Sequence, residues 1–227
     1  MPVLRQDESY LIGTAQAIKA LGKKDKAYVL VVSDSHGDYD RFYALLEAYG
    51  SKLDALIFCG DGSFDLVGII EAMANESPDS PLPDKILPPV IAFVRGNGDA
   101  ESYSYTYKGK NEVIIAPQAQ NLTICGKKIF VAHGHKYSVD FGLDYAVEIA
   151  EKLGLDYFFY GHTHIPREKK LKNTWFVNPG SCSRPRGGFP PTCALLKLYK
   201  DEKEAACHFY EIKENRFGNV DLKPMKI

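Results

Sequence analysis

The chain predicts an α/β fold, a four-layer α-β-β-α sandwich of two mixed sheets with flanking helices. Three observations carry that expectation. The first half alternates short apolar runs with helical periodicity, as parallel βαβ units do. The second half packs several short strand-like runs at close spacing, which suits a second sheet better than one open sheet. Small polar, glycine-bearing clusters stand at the ends of these runs, where open α/β folds keep their ligand crevice.

The elements follow in order. Ala27–Ser33 is a buried strand with Asp34 after it. Asp38 or Asp40 then caps a helix whose Phe42, Leu45, Leu46 and Tyr49 recur at i, i+3, i+4 and i+7, with Gly50 as its stop. Asp54–Cys59 is the second strand, delivering Gly60 and Asp61. A helix from about Asp65 to Asn75 leads into Ser77–Pro89, whose five prolines read as a loop. Val90–Val94 is the third strand and ends in Gly96-Asn97. Next come strands at Glu112–Pro117, Gln120–Cys125 and Lys128–Ala132, with Gly126-Lys127 as a hairpin turn. A helix over about Asp140–Leu153 carries Leu143, Val147 and Ala150 on one face. Tyr157–Tyr160 is a buried strand, and Trp175–Val177, Thr192–Tyr199 and Cys207–Ile212 complete a mostly antiparallel tail. Residues 1–26 form an N-terminal extension, expected as a helix that packs on the domain or mediates self-association.

Composition narrows the function classes. At 227 residues and 45% hydrophobic, the chain can bury a large core, and one domain spanning 1–227 is expected. The net charge of −1, from 28 basic and 29 acidic residues, leaves no global field for extended nucleic acid or an anionic membrane. Five cysteines without C-x-x-C spacing argue against a disulfide framework and a thiolate zinc site. No signal-like h-region and no membrane-length apolar run occur, so a cytoplasmic protein is expected. Neither a G-x-S-x-G elbow nor a phosphate-binding glycine loop is present.

Five of the six histidines lie in three clusters: Ser33-Asp34-Ser35-His36-Gly37-Asp38, His133-Gly134-His135 and Gly161-His162-Thr163-His164. Between the first two come Gly60-Asp61-Gly62 and Gly96-Asn97-Gly98-Asp99. Imidazole is a common metal ligand near neutral pH. Asp34 and His36 stand at i, i+2, which in extended backbone puts both side chains on one face, roughly 6.5–7 Å apart. His162 and His164 repeat the device, and ions about 3.5–4 Å apart could draw on such pairs. The set reads as a two-metal hydrolytic site.

The order Asp-x-His, Gly-Asp, Gly-Asn, His-Gly-His, Gly-His-Thr-His resembles the calcineurin-like metallophosphoesterase superfamily, in particular its small bacterial and archaeal phosphodiesterase branch. The resemblance implies one metal held by Asp34, His36, Asp61 and His164, and a second held by Asp61, Asn97, His133 and His162. It implies hydrolysis of a small phosphodiester by in-line attack of a metal-bridging hydroxide. Manganese is favoured, with iron, zinc, nickel and magnesium compatible with the mixed oxygen and nitrogen ligands. Asp61 and Asn97 would then serve catalysis through the metals.

One position departs from the superfamily pattern. Many of its phosphatases carry a histidine general acid directly after the metal-binding Asn, where this chain has Gly98. His135 is the candidate substitute acid, with hydrogen bonding or ring packing near the site as its alternative. The alternatives for the whole chain are a phosphomonoesterase or nucleotide phosphatase of the same superfamily, and a scaffold that keeps the fold. Asp38, Asp40, Asp65 and Asp140 read as helix caps, and Asn178–Ser181 as a type II turn. Ser181 is expected to be structural, Arg186 solvated, His208 structural, and Tyr137 and Phe141 packed in the core. Arg167–Lys172 reads as a solvated hairpin face.

Overall fold

A computed structural model describes residues 5–75, 86–202 and 206–227. In chain order its elements are β1 (Ile12–Gly13), α1 (Ala15–Lys23), β2 (Lys26–Val32), α2 (Tyr39–Tyr49), β3 (Ala55–Phe58), α3 (Ser63–Ala74) and β4 (Val90–Phe93). There follow β5 (Ser102–Tyr107), β6 (Lys110–Ile115), β7 (Ala119–Ile124), β8 (Lys127–Ala132), α4 (Asp144–Leu153) and β9 (Tyr157–Phe159). The tail holds β10 (Arg167–Leu171), β11 (Thr174–Asn178), β12 (Thr192–Tyr199), β13 (Ala206–Glu214) and β14 (Val220–Met225).

The strands form a seven-stranded sheet in the order β1-β4-β3-β2-β12-β13-β14 and a five-stranded sheet in the order β10-β11-β9-β8-β7, with β5 and β6 as a separate hairpin. Both large sheets are mixed. β2, β3 and β4 run parallel in the first, β8, β9 and β11 in the second, and antiparallel strands flank them.

Strand periodicity sorts the core into layers, because successive side chains point to opposite faces. Leu30, Val32, Leu56, Phe58, Ile91 and Phe93 pack outward against Phe42, Leu45 and Leu46 of α2 and Leu66, Ile69 and Ile70 of α3. The alternate residues Val29, Val31, Ala55, Ile57, Val90 and Ala92 join Ile129, Val131, Tyr157, Phe159 and Val177 between the sheets. Phe130, Phe158 and Phe176 cover the far face of the second sheet beneath Ala146 and Ala150 of α4. These are the four expected layers. Among the described residues, no helix is long and apolar enough to cross a membrane.

The N-terminal extension supplies β1, antiparallel to β4, and α1, capped by Thr14 Oγ1 accepting from the Ala17 N–H at 3.1 Å. Leu21 of α1 enters the layer between the sheets beside Leu122 and Ile124 of β7.

Several boundaries differ from expectation, each for a local reason. α3 begins at Ser63 instead of Asp65, because its first N–H groups are accepted by a distant carboxylate, Asp99. α4 begins at Asp144, four residues late, since residues 135–137 form a 3₁₀ turn and Ser138 has φ 55°. The β7–β8 hairpin turns at Cys125-Gly126, one residue early, with φ 50° and 74°, the left-handed pair that a two-residue hairpin loop favours. Ser102–Tyr107, where no strand is expected, is β5, and β14 lies beyond the last expected strand. The loop expected over Ser77–Pro89 falls mostly outside the described residues.

Candidate metal centre

The clusters converge. Asp34 follows β2, Asp61 follows β3, Asn97 follows β4, His133 follows β8, and His162 and His164 follow β9. All are ends of parallel strands, so both sheets deliver their polar turns to one rim. The backbone there is not extended, which corrects the i, i+2 argument: φ is 56° at Asp34, 46° at His36, 53° at Asp61, 69° at His162 and 59° at His164. Left-handed non-glycine residues carry strain that persists only where surroundings fix them. Here the fixing is visible. The Asp34 N–H donates to the Gly60 carbonyl at 2.9 Å, the His36 N–H to the Asp61 carbonyl at 3.0 Å, and Ser181 Oγ to the Asp34 carbonyl at 2.7 Å. Gly96 and Gly161 are required by close approach, since a Cβ at either would collide with the Asp61 carboxylate or the Ser33 hydroxyl, respectively.

Two ligand sets form around one oxygen. Asp34, His36 and His164 make one group, and Asp34, Asp61 and His133 the other. Asp34 Oδ1 is buried without a hydrogen-bond partner. His164 Nε2 lies 3.3 Å from it, His36 Nε2 3.8 Å and His133 Nε2 3.9 Å. Asp61 Oδ2 spans the two groups, 3.4 Å from His133 Nε2 and 3.9 Å from His36 Nε2. Asn97 Oδ1 stands 3.2 Å from His133 Nε2, and the His36 and His164 Nε2 atoms approach to 3.0 Å.

The donor set suits divalent cations. An unpartnered buried carboxylate oxygen is costly, and here three imidazole nitrogens turn toward it. The far sides of two rings are already satisfied: His133 Nδ1 pairs with the Cys59 carbonyl at 2.8 Å and His164 Nδ1 with the Arg184 carbonyl at 2.5 Å. A ring that donates from Nδ1 keeps the Nε2 lone pair for a metal. Burial pushes the Asp61 carboxyl up, but His133 and the Gly98 N–H outweigh it and hold the group at about 2, ionised at neutral pH. Burial likewise pulls His133 down, and its bond to Asp61 and the charge of Asp34 leave it raised.

His162 stands apart. Its Nε2 pairs with Asp140 Oδ2 at 2.8 Å while its backbone N–H donates to Asp34 Oδ2 at 3.1 Å, so the side chain enters neither group. His135 lies beyond it, its ring 5.4 Å from His133 and 6.1 Å from His162, with Nδ1 buried and unpartnered. Burial, then the neighbouring His133 and His162, depresses its basicity.

Three carboxylates do more than cap helices. Asp38 does cap α2, accepting the Arg41 N–H at 3.3 Å, but Asp40 lies inside the first turn. Asp65 also lies inside its helix and accepts from Ser35 Oγ at 2.6 Å and the Gly37 N–H at 3.0 Å, tying down the turn that bears His36. Asp140 holds His162. Asp99, to which the sequence assigned no role, accepts the N–H groups of Asp61, Gly62, Ser63 and Gly96 at 2.8–3.0 Å and Ser63 Oγ at 2.8 Å. It therefore clamps the Asp61 turn to the Asn97 turn. Its place two residues after Asn97, directly after Gly98, was the available signal. Arg184 was also missed: its guanidinium donates to the His36 carbonyl at 3.2 Å. Ser181 is buried and structural, Arg186 is exposed, and His208 lies on β13 away from the rim. Tyr137 packs against Phe130 and Phe158 as expected, whereas Phe141 is 92% exposed, because the turn before α4 carries it outward.

Residues 28–201 match the model of the calcineurin-like phosphoesterase superfamily domain. The chain belongs to that superfamily. The probable metallophosphoesterase YsnB of Bacillus subtilis is 30% identical over 192 residues, covering 85% of this chain and 95% of that one. Phosphodiesterase YfcE of Escherichia coli is 28% identical over 180 residues, covering 74% and 86%. The crystal structure of a predicted phosphoesterase from Streptococcus pneumoniae superposes with a TM-score of 0.60 at 26% identity, covering 89% and 99%. The positions of the seven residues expected as ligands fall within the matched range, and five of them, Asp34, His36, Asp61, His133 and His164, form the two His/Asp groups.

Proposed function

We propose that this calcineurin-like phosphoesterase is a dinuclear phosphodiesterase acting on small phosphodiesters. The observation that carries the reading is the pair of His/Asp groups around the unpartnered Asp34 Oδ1. Asp34, His36, Asp61 and His164 would hold one divalent ion, and Asp61, Asn97, His133 and His162 the other, with Asp61 shared. Manganese is the proposed metal. Bound ions would supply Lewis acidity and an activated water, the chemistry that two-metal sites bring to in-line displacement.

The chain's own residues do the rest. Asp99 and Asp65 hold the ligand turns in register, so little reorganisation is needed when an anion arrives. Asp61 stays ionised and keeps its negative charge between the two groups. The Arg184 guanidinium, exposed and bonded to the His36 carbonyl, would be a further cation for a phosphoryl oxygen. For His162 to serve as a ligand, its ring must exchange Asp140 for the metal. Gly98 offers no proton to a departing group, and His135, with its depressed basicity, is a weak reservoir of one. Good leaving groups therefore suit this site, and a diester monoanion meets less repulsion among its carboxylates than a monoester dianion does. The relative described as a phosphodiesterase supports the same choice. Buried or half-buried free cysteines suit a reducing, cytoplasmic setting.

The test is a panel of matched diesters and monoesters with added manganese. Aryl diesters should turn over faster than alkyl diesters and faster than the corresponding monoesters. A strong preference for monoesters would contradict the diesterase assignment.

A further inference from the structure

A groove of about 380 Å³ runs from the metal ligands His36 and Asp61 past Gly62 and Gly98 to Phe64 and Tyr103. Its walls divide sharply by chemistry. The polar groups beyond the ligands are already engaged: Asp99 by the N–H groups and hydroxyl it clamps, and Asp65 by Ser35 and Gly37. The face of Phe64 is not, whereas the Tyr103 ring is half-buried against the core. Phe64 is 72% exposed although its neighbours Ser63, Asp65 and Leu66 are buried. It sits on the first turn of α3, three residues from Asp61.

Tyr103 approaches from β5, its ring centroid 6.4 Å from that of Phe64 and tilted by 52°. Its hydroxyl is anchored, accepting the Ala100 N–H at 2.9 Å and reaching Asp99 Oδ1 at 3.4 Å. Burial and the charge of Asp99 push that phenol up to about 12, so it stays neutral. At this spacing and tilt the two rings cannot sandwich a third between them. They form a corner, with Phe64 as platform and Tyr103 as wall. Gly98 lines the same groove without a side chain, leaving open the space beside Asp61.

We propose that Phe64 and Tyr103 form a subsite for a planar aromatic substituent of the phosphodiester, stacked on Phe64. The inference rests on the phosphodiesterase reading above and names the substrate class of the same site. An aryl group and a nucleobase share this chemistry. A ring bearing a negative charge is disfavoured, because Asp61, Asp65 and Asp99 all border the groove.

The experiment uses binding, so its outcome is separable from catalysis. The manganese-supplemented full chain is titrated by calorimetry with three monoanions that have two P–C bonds and no ester bond to hydrolyse: methyl(phenyl)phosphinate, methyl(cyclohexyl)phosphinate, and 5′-deoxythymidine 5′-methylphosphinate. The phenyl compound should bind about tenfold more tightly than the cyclohexyl one, the scale of a single aromatic stacking contact. Phe64→Ala should reduce that preference to less than about twofold, and Phe64→Trp should keep it. Phe217, equally exposed at 73% but outside the groove, provides the control: Phe217→Ala should leave the preference intact.

Tighter binding of the thymidine compound than of the phenyl one would assign the subsite to a nucleobase, and the reverse would assign it to an aryl group. Equal binding of phenyl and cyclohexyl compounds, absence of binding by either, or a preference that survives Phe64→Ala would overturn the subsite. Intact aromatic preference in a protein that hydrolyses no diester would instead refute the phosphodiesterase reading alone.

Discussion

The two sheets furnish the metal centre in different ways. On the first sheet, the turns after β2, β3 and β4 are locked by carboxylates outside both His/Asp groups: Asp65 fastens the His36 turn, and Asp99 joins the Asp61 turn to the Asn97 turn. On the second sheet, His133 and His164 are oriented by single backbone carbonyls, and His162 is drawn aside by the exposed Asp140. The first half is a preformed cradle and the second carries the adjustable part. The contrast follows from the donors on offer: the first-sheet turns present several backbone N–H groups to one carboxylate, whereas the half-buried His162 ring is held by a single partner.

Breaking the carboxylate proposed to be shared by both ions, Asp61, should have the largest effect. Asp61→Asn removes a charge that faces both ligand groups and should cost about 10³-fold or more in turnover, the equivalent of several kcal/mol of charge stabilisation. Steady-state kinetics with circular dichroism as a folding control would check it. Asp99→Asn attacks the cradle without touching a ligand. An amide presents N–H donors where backbone N–H groups point, so stability should fall by about 2 kcal/mol or more. Metal affinity should fall about 10–100-fold, measurable by denaturant titration and metal titration.

Asp140→Ala acts on the adjustable half and sharpens the comparison. Because His162 has one exposed partner there, metal affinity should change by less than about tenfold, with stability within about 0.5 kcal/mol of the native protein. A loss as large as that of Asp99→Asn would erase the distinction between the halves. Smallest of all is Asp38→Asn. Asn caps a helix about as well as Asp, so turnover should stay within about threefold and stability within about 0.5 kcal/mol. Equal losses at Asp38 and Asp61 would mean that the ligand assignment is misplaced.

The same contrast decides what could be read from the sequence. The layers were legible because both faces of β2, β3 and β4 are buried and α2 keeps a 3.6-residue apolar period through Phe42, Leu45 and Leu46. The polar turns were legible because histidine, aspartate and glycine cluster just after apolar runs. The clamps were not. Asp99 acts on a turn 36–38 residues earlier, and Asp65 on Ser35, 30 residues away, distances at which no local pattern distinguishes a clamp from a helix cap. β5 escaped for another reason: Ser102-Tyr-Ser-Tyr-Thr-Tyr107 alternates as a strand should, yet lacks the aliphatic residues that mark a core strand. β10, with Arg167-Glu-Lys-Lys-Leu171, is the solvated hairpin strand that its charge suggests, paired antiparallel to β11.

The central claim is that both halves together hold two divalent ions. Crystals grown with saturating manganese, measured at the manganese absorption edge, test it most directly. Two anomalous peaks per chain, bridged by Asp61 and flanked by His36 and His164 on one side and Asn97 and His133 on the other, are the expected result. A single peak at saturation, or none within reach of Asp34 and Asp61, would contradict the account.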